Sequence, residues 1–151
     1  MENLILFVCL IALGYFAGHI AERKHYKSIN AREKESLNLP AVTFAKNAVP
    51  EGEIDSCELV HGSVVVSIDY FKRILAALRN IFGGEVASYE SLVDRARREA
   101  VLRMKEMSGN ADIIVNVRIE TSSIGKSANR KNSLGSVEAI AYGTAIALKK
   151  A

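Results

Sequence analysis

The sequence predicts an α+β domain of order ββααββ with a mainly antiparallel sheet, standing behind one membrane-crossing helix. Three observations predict it. Leu4 to Ala21 carries no charge over its whole length. Two segments between residues 70 and 107 repeat their apolar residues at spacings of three and four, the period of an amphipathic helix. The segments flanking them are β-branched or alternate with a period of two, the signature of half-buried strands.

The apolar segment comes first. A bilayer core needs roughly 17–25 apolar residues as a helix, and Leu4 to Ala21 reaches the low end of that range. Met1, Glu2 and Asn3 supply no positive n-region, and no good small-residue cleavage site follows, so the segment reads as an uncleaved anchor rather than a signal peptide. Arg23, Lys24, Lys27, Arg32 and Lys34 all lie after it. The positive-inside rule then keeps the C-terminal domain in the cytoplasm, on the bacterial inner membrane. Gly14 and Gly18 form a G-x-x-x-G step, which would let two such helices approach closely, although glycine is also simply common in membrane helices.

Residues 22–39 are charged and rich in helix formers. They read as a juxtamembrane linker, either a helical stalk or loose chain, with Pro40 marking the start of the domain, 40–151. About a hundred residues remain for that domain, enough for one modest core. Ala41 to Lys46 is a short strand candidate. In Ile54 to Tyr70 the run Val64-Val65-Val66 is strongly β-forming, and Gly62 suggests a bulge or a close backbone approach.

Asp69 can cap a helix from Tyr70 whose apolar face is Phe71, Ile74, Leu75, Leu78, Ile81 and Phe82, closed by Gly83-Gly84. A second helix runs from about Ser88 to Met107 on Tyr89, Leu92, Val93, Ala96, Ala100, Met104 and Met107. Asp94, Arg97, Arg98, Arg103 and Glu106 fill its remaining surface. From Ala111 to Thr121, Ile113, Val115, Val117 and Ile119 alternate with polar residues, with Ile114 an exception. A polar loop, Ser122 to Gly135, leads to a last strand, Ser136 to Leu148. Ala139, Ala141, Gly143, Ala145 and Ala147 share one face of that strand. Such a face suits either close packing of the domain's own helices or a tight subunit interface.

The chemistry is sparse. The formal net charge is +3, too small to argue for nucleic acid, and no nucleic-acid partner is expected. There is no serine elbow, paired-carboxylate motif or HExxH, so no enzyme is expected. Gly83-Gly84 lacks the lysine of a phosphate loop and reads as a cap. Lys126, Arg130 and Lys131 in the polar loop could meet lipid headgroups or an acidic partner, or stay solvated. Metal-ligating residues are few: Cys57 and His61 stand four apart, whereas Cys9, His19 and His25 sit in or beside the membrane segment. A soft or borderline metal needs three or four such ligands. On an extended strand Cys57 and His61 share a face but stand about 13 Å apart, unless Gly62 bends the chain.

The pieces GGEVASY (Gly83 to Tyr89), RARREA (Arg95 to Ala100), GNADIIVNVRIETSSI (Gly109 to Ile124) and YGTAI (Tyr142 to Ile146) resemble the YbjQ-like family, often described as putative heavy-metal-binding. GSVVVSIDYFKRILAALRNIFGGE, from Gly62, is similar to the same family's glycine-flanked region. The resemblance spans roughly Val42 to the C-terminus and leaves out the anchor. It implies a dodecin-like protomer assembling into a homopentameric ring, and no settled reaction. The heavy-metal label belongs to the family rather than to any motif in this sequence, so a heavy-metal ion is the one cofactor it raises. Arg97 matches the family's helix arginine and is expected to form a salt bridge with Glu85 or Glu99.

Overall fold

A computed structural model describes residues 1–43, 52–67, 87–124 and 136–149. The anchor segment and the linker form one helix, α1 (Glu2–Glu35), which ends where the Ser36 N–H bonds the Arg32 carbonyl. The linker is thus helical to Glu35, and residues 36–39 lie beyond the helix. β1 (Ile54–Ser67), α2 (Ala87–Met107), β2 (Ile113–Ile124) and β3 (Ser136–Leu148) follow. The sheet has the order β1-β3-β2, with both pairs antiparallel. The helix expected over Tyr70 to Gly84, and most of the polar loop before β3, lie outside the described residues.

The first expected strand, Ala41 to Lys46, is a single parallel bridge in its described part. Ala41 pairs with Ile114 on the outer edge of β2. The Ile114 N–H bonds the Pro40 carbonyl at 2.9 Å, and the Val117 N–H bonds the Val42 carbonyl at 3.0 Å. The rest of that candidate strand lies outside the described residues.

Alternation decides which face of the sheet meets α2. Val60, Gly62, Val64 and Val66 of β1 and Val137, Ala139, Ala141, Gly143 and Ala145 of β3 face the helix. Leu92, Ala96, Ala100 and Met104, one per turn of α2, pack down onto them as a single core. The small face of β3 is therefore filled from within the chain. Ala139 and Ala141 are fully buried there. Ala141 and Ala145, on either side of Gly143, are buried in that same core.

Gly62 makes the close approach possible. A Cβ built there would fall 2.7 Å from the Arg103 Cβ, and closer still to the Ala100 carbonyl oxygen and the Met104 backbone nitrogen. No bulge accompanies it: β1 pairs with β3 in unbroken register from Ser56 to Ser67. The close-approach reading of Gly62 holds, and the bulge reading does not.

In β2 the expected faces are split. Asn116 has a φ of +55°, and the register with β3 shifts between Val115 and Arg118. The extra residue swaps the faces beyond it. Ile114, the apparent exception, is fully buried in the core under α2, with Val117 beside it on that face. Ile113 and Val115 instead point to the opposite side, where Val42, Ile146 and Leu148 cover them. Ile119 is exposed.

α2 closes at Gly109, whose φ of +58° is the left-handed cap that glycine adopts freely. The Ser108 hydroxyl bonds the Lys105 carbonyl at 2.6 Å.

Candidate functional site

The second layer on the sheet carries the densest chemistry. Residues 22–36 repeat Tyr26, Ile29, Arg32, Glu33 and Ser36 at spacings of three and four, so these side chains share one face of α1. That face docks on the outside of α2. Ile29 is fully buried. The Tyr26 hydroxyl donates to the Ser91 carbonyl at 2.9 Å, and the Arg98 guanidinium lies 5.8 Å from the centre of the Tyr26 ring, within cation–π range.

Glu99 is the centre of this contact and, at 4 % exposure, the buried charged residue among those described. One carboxylate oxygen accepts from Arg32 of α1, and the other from Nε of Arg103 at 3.0 Å. His25 Nε2 stands 3.5 Å away. Arg32 also donates to Glu106 at 2.9 Å. A second pair lies alongside: Arg98 donates to Glu33 at 2.7 and 2.6 Å, bidentate, and to the Asn30 side-chain oxygen at 2.5 Å. Lys105 closes the far end by donating to the Ser36 carbonyl at 3.0 Å. Arg103 additionally donates to the Ser63 carbonyl on β1 at 2.8 Å, so the cluster ties three elements, α1, α2 and β1.

Its electrostatics are those of a clasp. Burial alone would raise the Glu99 carboxyl, but the hydrogen bonds and charges of Arg32 and Arg103 outweigh it and hold it below its ordinary value of 4.5. The Arg98 fork lowers Glu33 in the same way. Both shifts are depressions, so the stability they contribute is present above the unfolded value and is lost as pH falls through the folded one. We expect the hydrogen-exchange protection of residues 25–36, taken relative to the intrinsic rate at each pH, to stay constant from pH 7 to about 4.5 and to fall below it. An unchanged protection pattern at pH 3 would show that the carboxylates do not hold α1 down.

Of the two partners expected for Arg97, Glu99 is corrected. Arg97 is exposed and approaches the Thr121 hydroxyl at 3.5 Å, while Glu99 is taken by Arg32, Arg103 and His25. About half a turn of helix separates the two outcomes. Arg97 lies on the solvent side of α2, whereas Glu99 faces α1. Glu85 lies outside the described residues. Glu99 entered the sequence reading only as a partner for Arg97, and Arg32 only as a linker charge. The three-and-four repeat of Tyr26, Ile29, Glu33 and Ser36 was the signal that this linker has a buried side.

The metal candidates sit elsewhere. Cys57 and His61 are both exposed on the sheet face away from α2, together with Leu59, Ser63 and Val65. Across β3 they stand opposite Ile146 and Tyr142. The straight register leaves them about 13 Å apart along the strand, too far to share one ion. Among the described residues no three His, Cys, Asp or Glu side chains gather as an ion would require. Among the described residues, the donors of one chain therefore do not fit a heavy-metal ion. His25 is engaged at Glu99, and His19 is stacked on Tyr15 with ring centres 6.1 Å apart. Cys9 is exposed on the apolar part of α1. Gly14 and Gly18 lie four apart on that same part.

That part of α1 is long and apolar enough to cross a membrane, and none of its apolar window is buried in the domain. Ile5, Leu6, Phe7, Leu10, Leu13, Phe16 and Ile20 all stand free.

A family model described as "Putative heavy-metal-binding" matches residues 41–149. A UPF0145 protein from Hahella chejuensis is 40 % identical over 93 residues, which is 60 % of this chain and 82 % of that one. One from Thermococcus kodakarensis is 40 % identical over 96 residues, covering 61 % of this chain and 76 % of its own. One from Halobacterium salinarum is 40 % identical over 103 residues, covering 66 % and 91 %. Relatives thus include archaeal as well as bacterial proteins. A crystal structure of a protein of unknown function from Pediococcus pentosaceus superposes with a TM-score of 0.47 at 14 % identity, over 74 % of this chain and 98 % of that one. The matched region begins at Ala41, so α1 lies outside it.

Proposed function

This chain belongs to the family described as putative heavy-metal-binding, and on that premise we propose that it is a membrane-anchored, ring-forming homo-oligomer, a pentamer, that serves as an assembly scaffold at the inner membrane. The observation that carries this reading is the division of α1. Its first two-thirds are apolar and unburied, and its last third is clasped to the family domain through Glu99 and Arg98. A helix built in this way transmits the position of the membrane to the domain without a loose joint. Lipid is the partner of the apolar part. The domain faces the cytoplasm, on the side of the membrane that holds Arg23, Lys24 and Lys27. The scaffold acts by assembly and not by catalysis. Gly14 and Gly18 give the anchor helices a place to meet within the ring.

A second reading, heavy-metal binding, has one observation in its favour. Cys57 and His61 share an exposed face, where copies of the chain could bring several such pairs together. Native mass spectrometry of the full-length protein released gently from detergent separates the two. The scaffold reading expects five copies and no added metal ion. A ring carrying a stoichiometric ion, lost in Cys57→Ala or His61→Ala, would replace it with the metal reading. A monomer would overturn the assembly.

A further inference from the structure

The clasp sorts the charges of α1. At 100° per residue, His25, Tyr26, Ile29, Arg32 and Glu33 lie on the docked side of the helix. Glu33 is neutralised by Arg98 and Arg32 by Glu99 and Glu106. Arg23, Lys24 and Lys27 fall within an arc of about 100° whose centre lies roughly opposite Ile29. All three are exposed, and none is ion-paired to another described residue. At 1.5 Å per residue they stand only about 3 to 9 Å beyond Ala21, the end of the apolar segment. Their flexible stems can reach back to a headgroup layer. Lys34 is also exposed but stands about 20 Å beyond Ala21, more than two Debye lengths at physiological salt.

We infer that the free face of α1 at Arg23, Lys24 and Lys27 is a docking strip for anionic lipid headgroups, held toward the bilayer by the clasp on the opposite face. The inference rests on the reading of α1 as a membrane anchor and adds the lipid class it selects. Two features fix the occupant. The strip is continuous with the apolar segment, so the surface that meets it is the headgroup layer. Its charge is of one sign, because at 100° per residue both neighbouring acids, Glu22 and Glu33, fall on the docked side of the helix with Ile29. Zwitterionic headgroups offer no net charge to match it. Each cation near an anionic surface contributes roughly 5-fold to its occupancy.

The test uses the full-length protein in bilayers of phosphatidylcholine with a minor fraction of phosphatidylglycerol. The lipid retained by the protein is counted after gentle release. The wild type is expected to retain the anionic lipid at least about 3-fold above its bulk fraction, with the excess lost in half-molar salt. A Lys34→Gln variant should behave as wild type. The triple variant Arg23→Gln, Lys24→Gln, Lys27→Gln should retain lipid at the bulk ratio. Carbonate extraction of the same samples reports on the anchor. If both proteins stay embedded and their retained lipid is the same, the strip is overturned and the anchor stands. If carbonate extracts both proteins, the anchor is overturned, and the strip with it.

Discussion

Replacing Gly62 by alanine is expected to unseat α2 from the sheet and to cost about 3 kcal/mol or more, the upper end of what over-packing a core costs. The reason is what the new methyl would meet. Most over-packed sites face side chains, which can change rotamer. Here the nearest atoms are the Ala100 carbonyl, the Met104 nitrogen and the Arg103 Cβ at 2.7 Å. Helix backbone cannot rotate away, so α2 must lift as a body and loosen Leu92, Ala96, Ala100 and Met104 from Val60, Ala139 and Ala141. For a domain of this size the loss lowers Tm by roughly 12–24 °C, a large share of an ordinary stability of about 5–15 kcal/mol. Gly52→Ala is the matched control. Its methyl would meet only the Leu148 side chain at 3.7 Å, and its effect should stay within about 0.5 kcal/mol. Thermal melts of both variants decide the matter. Equal Tm values would mean that α2 does not ride on the backbone of β1.

The second large effect is expected from Glu99→Gln. The substitution keeps the shape and one acceptor oxygen but removes the charge that Arg32, Arg103 and His25 share. Breaking a fully buried pair by removing one partner typically costs 3–5 kcal/mol. The arginine side chains here keep 28 % and 49 % exposure, so solvent recovers part of that cost, and about 2–3 kcal/mol is expected. The loss falls on one contact, the docking of α1 on α2, and should appear as faster hydrogen exchange in residues 25–36 with the sheet unchanged. Glu106→Gln removes a carboxylate that is 54 % exposed and should cost under about 1 kcal/mol. A double-mutant cycle between Glu99→Gln and Arg32→Gln isolates the pair. Coupling below about 0.5 kcal/mol would mean that α1 is held without this pair, by Tyr26, Ile29 and the Arg98–Glu33 fork.

Much of the fold was legible because its periods are strong. The stripe Leu92, Ala96, Ala100 and Met104 has no competing pattern, and the last strand, Ser136 to Leu148, has its observed bounds. β2 was read wrongly in its faces for a specific reason. An alternation rule assumes a regular pleat, and Asn116 in the left-handed region breaks that pleat in mid-strand. Ile114 therefore looked like an exception, when it is the residue α2 covers. The clasp was missed for a different reason. A helix of charged residues after a membrane segment has a sufficient explanation in topology alone, so Glu33 and Arg32 raised no question. Only their spacing with Tyr26 and Ile29 hinted at a buried side.

Local matters were legible along the chain: an apolar helix at the start, strands where β-branched residues alternate, a helix, Ala87–Met107, where apolar residues recur every three or four, and membership of a family through runs of matched residues. These follow from short-range sterics and from apolar surface leaving water, which depend on neighbours along the chain. The tertiary structure decided what depends on neighbours in space. It placed Gly62 under the backbone of α2, filled the small face of β3 from within, set Cys57 and His61 along a straight strand, and gave Glu99 to Arg32, 67 residues away in the chain. A buried carboxylate needs cations within hydrogen-bond reach, and which cations arrive is settled by how the helices pack.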